Sequence, residues 1–168
     1  MRKSFCFLLL FCGLFCCTLP NRGSFYLRFT VFSNEGVYKL GDGHYWGQLV
    51  LQDVDRLGSF VKMHPRRLAG KMSVEDLFAA WNVYKADSNY ISIQQGELSY
   101  NFDRKQRYTF SIDLKNPQYD SSANTLTFFV LPRDPDRKIP VDVKLHLVEL
   151  ELYIDPAESQ FWDDWIGN

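Results

Sequence analysis

Apolar and polar residues alternate with a period of two over most of the chain, the pattern of strands with one buried face. In residues 24–33, Phe25, Leu27, Phe29 and Val31 share one face, and Arg28 and Thr30 share the other. Asn34-Glu35-Gly36 reads as a turn, with a short strand at 37–40. Gly41-Asp42-Gly43 turns the chain again into a longer strand at 44–54. A strand at 59–63 stops at Pro65, which cannot donate a ladder hydrogen bond. Further strands are predicted at 97–102, 107–115 and 125–131, with Asn116-Pro117 ending the second of them and a turn at 120–124.

The segment 141–154 changes phase. Its inward set is expected to begin Val141, Val143, Leu145, Leu147 and to continue Val148, Leu150, Leu152, Ile154. One extra residue resets the pleat in this way, so a β-bulge is predicted near Leu147 and Val148; burial of both faces is the competing explanation.

Helical spacing interrupts the strands near 74–82. Ser73 is placed to cap the amide of Asp76, and Glu75 and Asp76 complement the positive end of a helix. Leu77, Phe78 and Trp81 form one apolar stripe that would plug the core. The expected architecture is mainly β: an antiparallel β-sandwich, immunoglobulin-like or jelly-roll-like, of seven to nine strands with this one short helix.

Composition adds an address. All four cysteines, Cys6, Cys12, Cys16 and Cys17, precede residue 18, so neither a disulfide nor a Cys metal site is expected in the body. Arg2 and Lys3 followed by an apolar run at 5–15 have the layout of an export signal, too short to span a membrane comfortably. Cleavage after Thr18 is one reading. Leu14-Phe15-Cys16-Cys17 supports another, a lipoprotein leader with lipid on Cys17. The chain divides into a leader at 1–17, one domain at 18–155 and an aromatic-acidic tail at 156–168. Of 19 basic residues, 17 remain once Arg2 and Lys3 are set aside, against 20 acidic, which gives no charge for nucleic acid.

Two stretches are candidate binding surfaces. Lys62, His64, Arg66, Arg67 and Lys71 precede the helix start, where free amides and basic side chains together favour an anion or a partner carboxylate. The competing reading is a solvated turn paired with Asp53, Asp55 or Asp76. In the tail, Phe161, Trp162, Trp165 and Ile166 gather on one side of a helical turn, either to dock a partner or to cover the domain's own end. His44, His64 and His146 match no metal spacing, and Asp53-x-Asp55 and Asp134-x-Asp136 read as turns. No catalytic constellation, metal site or cofactor motif is found.

Short motifs carry a resemblance. They are Val54-Asp55, Phe60-Val61, Pro65-Arg66-Arg67, Ala69-Gly70, Met72-Ser73 and Trp81, then Asn116-Pro117-x-Tyr119-Asp120 and Asn124-Thr125-Leu126-Thr127. With these the chain resembles a group of small secreted bacterial β-rich proteins of unassigned function. It departs from that pattern at His64 and at 91–95. The resemblance implies an exported β-rich domain and no activity.

The expected function is therefore an exported, non-enzymatic binding domain of the bacterial envelope, periplasmic, outer-membrane-associated or secreted. Its partner would be an envelope protein or glycan, and its only membrane attachment a lipid at Cys17. The alternatives are a lipid-anchored assembly component and an extracellular hydrolase using His64 or His44 with a nearby carboxylate.

Overall fold

The computed structural model describes residues 27–41, 46–62, 67–87, 93–102 and 106–154. They form β1 (Leu27–Lys39), β2 (Gly47–Val54), β3 (Leu57–Lys62), β4 (Leu68–Ser73), α1 (Val74–Asp87), β5 (Gln94–Asn101), β6 (Arg107–Asp120), β7 (Thr125–Pro132) and β8 (Lys144–Ile154). All pairings are antiparallel.

The expected sandwich is not what forms. Six strands, in the order β1-β2-β7-β6-β5-β8, close back on β1 as a barrel. The closing contact is β1 with β2, from Ser33↔Val54 to Lys39↔Gln48. A sandwich and a barrel demand the same inward and outward alternation along each strand; they differ in which distant strands share hydrogen bonds. Leu49, Leu98, Ile112, Leu114, Leu126, Phe128, Val130, Leu145 and Leu150 fill the interior with no solvent exposure.

Curvature comes from interruptions that resemble turns in sequence. Along β1 the buried positions run Phe29, Val31, Ser33, then shift to Gly36 and Tyr38. At the same level β2 shifts from Leu51 to Val54, and β8 from Leu145 to Val148. Asp53 and Leu147 adopt positive φ, 51° and 48°. The Ser33 hydroxyl lies 2.6 Å from the Glu35 carbonyl and 2.5 Å from that of Gln52, and can donate to either. Asn34-Glu35-Gly36 is thus no turn, and residues 27–39 make one strand. Gly36 admits a close approach: a Cβ there would meet Leu51 at 3.0 Å and Val148 at 3.2 Å, and those side chains would have to give by a few tenths of an ångström.

The predicted bulge at Leu147–Val148 is present. Ser99 faces Glu149 and Asn101 faces His146, so β8 carries one residue more than β5 across this step. Leu147 itself points outward and is 63% exposed. A second bulge lies at Asn116 (φ 52°), where three steps on β6, from Lys115 to Gln118, match two on β7. Asn116-Pro117 therefore bends β6 and does not end it. Left-handed backbone costs a non-glycine residue about 1–2 kcal/mol. Leu147→Gly is therefore expected to stabilise the domain by roughly 0.5–1 kcal/mol in urea unfolding, even after the greater chain entropy of glycine; a loss of stability would contradict the assignment of strain.

Beyond Val54, β3 continues along β1 after a jog. Three steps on β1, from Ser33 to Thr30, match five from Val54 to Ser59. The β3–β4 hairpin thereby leaves the ring, with β4 as a free edge that the sequence had not indicated. The helix begins where predicted: the Asp76 amide donates to Ser73 Oγ at 2.9 Å. It runs to Asp87, longer than expected. It starts beside Arg56, whose carbonyl accepts from the Val74 amide at 2.9 Å, and the chain returns at the start of β5. Both points lie at the barrel end where β2 stops and β7 begins, so α1 closes that end, with Leu77, Phe78 and Trp81 buried as expected. Among the described residues, no helix is long and apolar enough to cross a membrane.

Candidate functional site

The opposite end of the barrel, the mouth, is crossed by the connection between β7 and β8. In the closed ring these strands lie opposite each other, with β6 and β5 between them on one side and β2 and β1 on the other, so residues 133–143 must cross the mouth. The crossing is tied at each end. At the β7 end the Arg133 amide donates to the Ser111 carbonyl at 3.0 Å, and its guanidinium pairs with Asp113 at 2.9 Å. Where β8 begins, the Asp142 amide donates to the Tyr38 carbonyl at 2.9 Å, and Lys144 pairs with Glu35 at 2.5 Å. In the middle, Ile139 is 1% exposed and anchors the segment in the core.

Beneath it the alternation of β5 and β6 ends in aromatic residues. Tyr100 faces Tyr108, and Leu98 faces Phe110, in the β5–β6 register. Tyr100 stacks between two neighbours: Phe110 at 5.7 Å and 8°, and Tyr108 at 5.9 Å and 27°. The stack continues into the crossing segment, where the Arg137 guanidinium lies 5.1 Å from the centre of the Phe110 ring. A local turn aims it: Asp134 Oδ1 accepts from the Asp136 amide at 3.0 Å, and the Asp134 carbonyl accepts from the Arg137 amide at 3.3 Å. The expectation that Asp134-x-Asp136 forms a turn is met.

These parts enclose an open groove of about 360 Å³. It is lined by the buried Tyr100 and Phe110, by Phe102 and Tyr108 from β5, β6 and their ends, and by Arg137, Lys138 and Pro140 from the crossing segment. Phe102 is 46% exposed. Burial pushes the Tyr100 phenol up to about 12, with Tyr108 adding to the shift and Arg137 opposing it, so the hydroxyl keeps its proton at neutral pH. The Tyr108 hydroxyl donates to Gln106 Oε1 at 3.0 Å. Neither Arg137 nor Lys138 has a carboxylate partner among the described residues. Two arginines on the barrel wall do: Arg28 pairs with Glu151 at 3.6 Å, and Arg107 with Glu149. Aromatic faces, cations and buried phenol make a surface suited to holding a ligand rather than to moving protons.

Only Lys62, Arg67 and Lys71 of the sequence-predicted surfaces are among the described residues, and they lie on the β3–β4 hairpin. Lys62 ends β3, Arg67 is exposed just before β4, and Lys71 is exposed on β4 opposite Ser59. His64 and Arg66 lie outside the described residues. Six residues of extended chain, about 20 Å at 3.3 Å per residue, separate Arg67 from the helix start, so the two do not meet. The helix start is already supplied with Glu75 and Asp76. Cys17, Phe161, Trp162, Trp165, Ile166 and His44 also lie outside the described residues. His146 is half-buried on β8 opposite Glu35 and Asn101. Among the described residues no group of three His, Cys, Asp or Glu is placed to hold a metal.

The mouth groove was not anticipated from sequence. Tyr108 and Phe110 fit the inward alternation and read as core, while Arg137 and Lys138 sit in a loop with no motif. The one available signal was the density of aromatics, at 100, 102, 108 and 110, on both sides of a hairpin loop. Comparison of the chain with protein-family models, curated proteins and solved structures returned no match.

Proposed function

We infer that the chain is an exported, non-enzymatic binding domain of the bacterial envelope, and that it takes its ligand in the mouth groove. The observation that carries this reading is the coincidence, in one concave site of about 360 Å³, of three stacked aromatic rings with two cations that have no carboxylate partner among the described residues. That volume falls within the range of small-molecule sites, roughly 300–1,000 Å³. Export is supported by Arg2, Lys3 and the apolar run at 5–15, and by the confinement of all four cysteines to that leader.

Two measurements test it. Mass spectrometry of the mature protein should find a start beyond residue 17, or lipid on Cys17; an intact N-terminus in a cytoplasmic fraction would refute export. A thermal-shift screen against small envelope metabolites and glycan fragments should yield a ligand that stabilises the wild type. Phe102→Ala and Tyr108→Ala should each abolish that shift. Ligand-induced amide shifts that cluster on the β3–β4 hairpin instead would move the site there.

A further inference from the structure

Granting that the mouth groove is the binding site, the residues around it define the chemistry of what it holds. We propose that it takes a small, flat, apolar monoanion: a ring system lying between Phe102, Tyr108 and Pro140, with its carboxylate, sulfonate or phosphate ester at Arg137 and Lys138.

Size comes first. A groove of about 360 Å³ accommodates a one- or two-ring ligand and leaves a polymer largely in solvent. Shape and polarity come next. The walls are aromatic and proline faces, which bind planar apolar groups through area and stacking. The sign of charge is set by neighbouring cations. Arg28, Arg107, Arg133 and Lys144 each pair with a carboxylate, whereas among the described residues Arg137 and Lys138 have none. Arg137 is also pre-positioned, stacked on Phe110 and aimed by the Asp134 turn, so little ordering remains to be done on binding. A long polyanion is not favoured by the chain's formal net charge of −1.

A matched pair of dyes tests this. 1-Anilinonaphthalene-8-sulfonate and N-phenyl-1-naphthylamine share one fluorophore and differ in the sulfonate. Fluorescence titration of the folded protein should show the sulfonate binding about tenfold more tightly, a difference of roughly 1.4 kcal/mol. The double variant Arg137→Gln/Lys138→Gln, with unfolding midpoint checked against wild type, should bring the two dyes to equal affinity. Phe102→Ala should weaken both. Equal binding of the dyes to wild type, or selectivity surviving in the double variant, would overturn the monoanion assignment while leaving the groove as the site. Failure of both dyes to bind, or binding indifferent to Phe102→Ala and Tyr108→Ala, would overturn the site itself. Displacement of the sulfonate dye by dextran sulfate at lower charge concentration than by 2-naphthalenesulfonate would also count against the proposal, in favour of a polyanion.

Discussion

Trp81→Ala is expected to remove about 3–5 kcal/mol of stability, the usual cost of truncating a buried large aromatic. Trp81 is 2% exposed and belongs to a three-ring cluster that joins the helix to the barrel interior. Its ring lies 5.8 Å from Phe78 and 6.4 Å from Phe128, and Phe78 lies 5.5 Å from Phe128 in an edge contact. Truncation leaves a cavity where α1 closes the barrel, and the strands around it are too constrained by closure to collapse inward. Against a total stability of about 5–15 kcal/mol this loss would leave a marginal fold. Trp81→Phe is expected to cost much less, about 1–2 kcal/mol. The indole Nε1 is buried without a hydrogen-bond partner, so removing it relieves a desolvated donor and offsets part of the lost volume. Urea unfolding of both variants checks this; a loss for Trp81→Phe as large as that for Trp81→Ala would refute the offset.

The second large effect is expected at Gly96. A Cβ on this residue would lie 2.4 Å from the Glu151 carbonyl oxygen and 2.7 Å from Leu114 Cδ1. The first obstacle is backbone on the neighbouring strand, where Gly96 is paired with Leu152, and cannot rotate away. Gly96→Ala must push β5 from β8 inside a closed ring, so about 3 kcal/mol is expected, the upper part of the overpacking range. Gly70 supplies the contrast. A Cβ there would meet only the Phe60 ring, at 2.8 and 2.9 Å, on the β3–β4 hairpin outside the ring. Phe60 can shift, so Gly70→Ala should cost under about 1 kcal/mol. Comparable midpoints for the two variants in guanidinium unfolding would refute the view that closure makes β5–β8 spacing rigid.

Local chemistry made several elements legible. Ser73, Glu75 and Asp76 mark the helix start, and the spacing of Leu77, Phe78 and Trp81 marks its buried face. The break in alternation between Leu145 and Val148 exposes the β8 bulge. The Asp120 turn was also readable: its Oδ1 accepts from the Ser122 amide and hydroxyl at 2.9 and 2.6 Å and from the Ala123 amide at 3.1 Å. These bonds lower the Asp120 carboxyl below its ordinary value. Errors arose where one residue type serves two purposes. Gly36 and Asn116-Pro117 are turn-forming chemistry used inside strands, to admit a close approach and to bend β6. Strand β4 was missed because Leu68-Ala69-Gly70-Lys71-Met72-Ser73, on a free edge with little burial, lacks the alternation that marks a strand with one buried face.

Most inward-facing residues were determined by the sequence alone, because period-two alternation and helical spacing act between near neighbours; Leu147, which the bulge turns outward, and the buried Thr30 are exceptions. Only the tertiary structure decided that the strands close into a barrel. Closure depends on hydrogen bonds between β1 and β2 and on a jog that sends β3 away from the ring, and alternation is the same with or without them. The groove belongs to the same category. Tyr100, Tyr108 and Phe110 are ordinary inward residues until the ring places β7 and β8 apart, and only then must the connection carrying Arg137 and Lys138 cross the mouth above them.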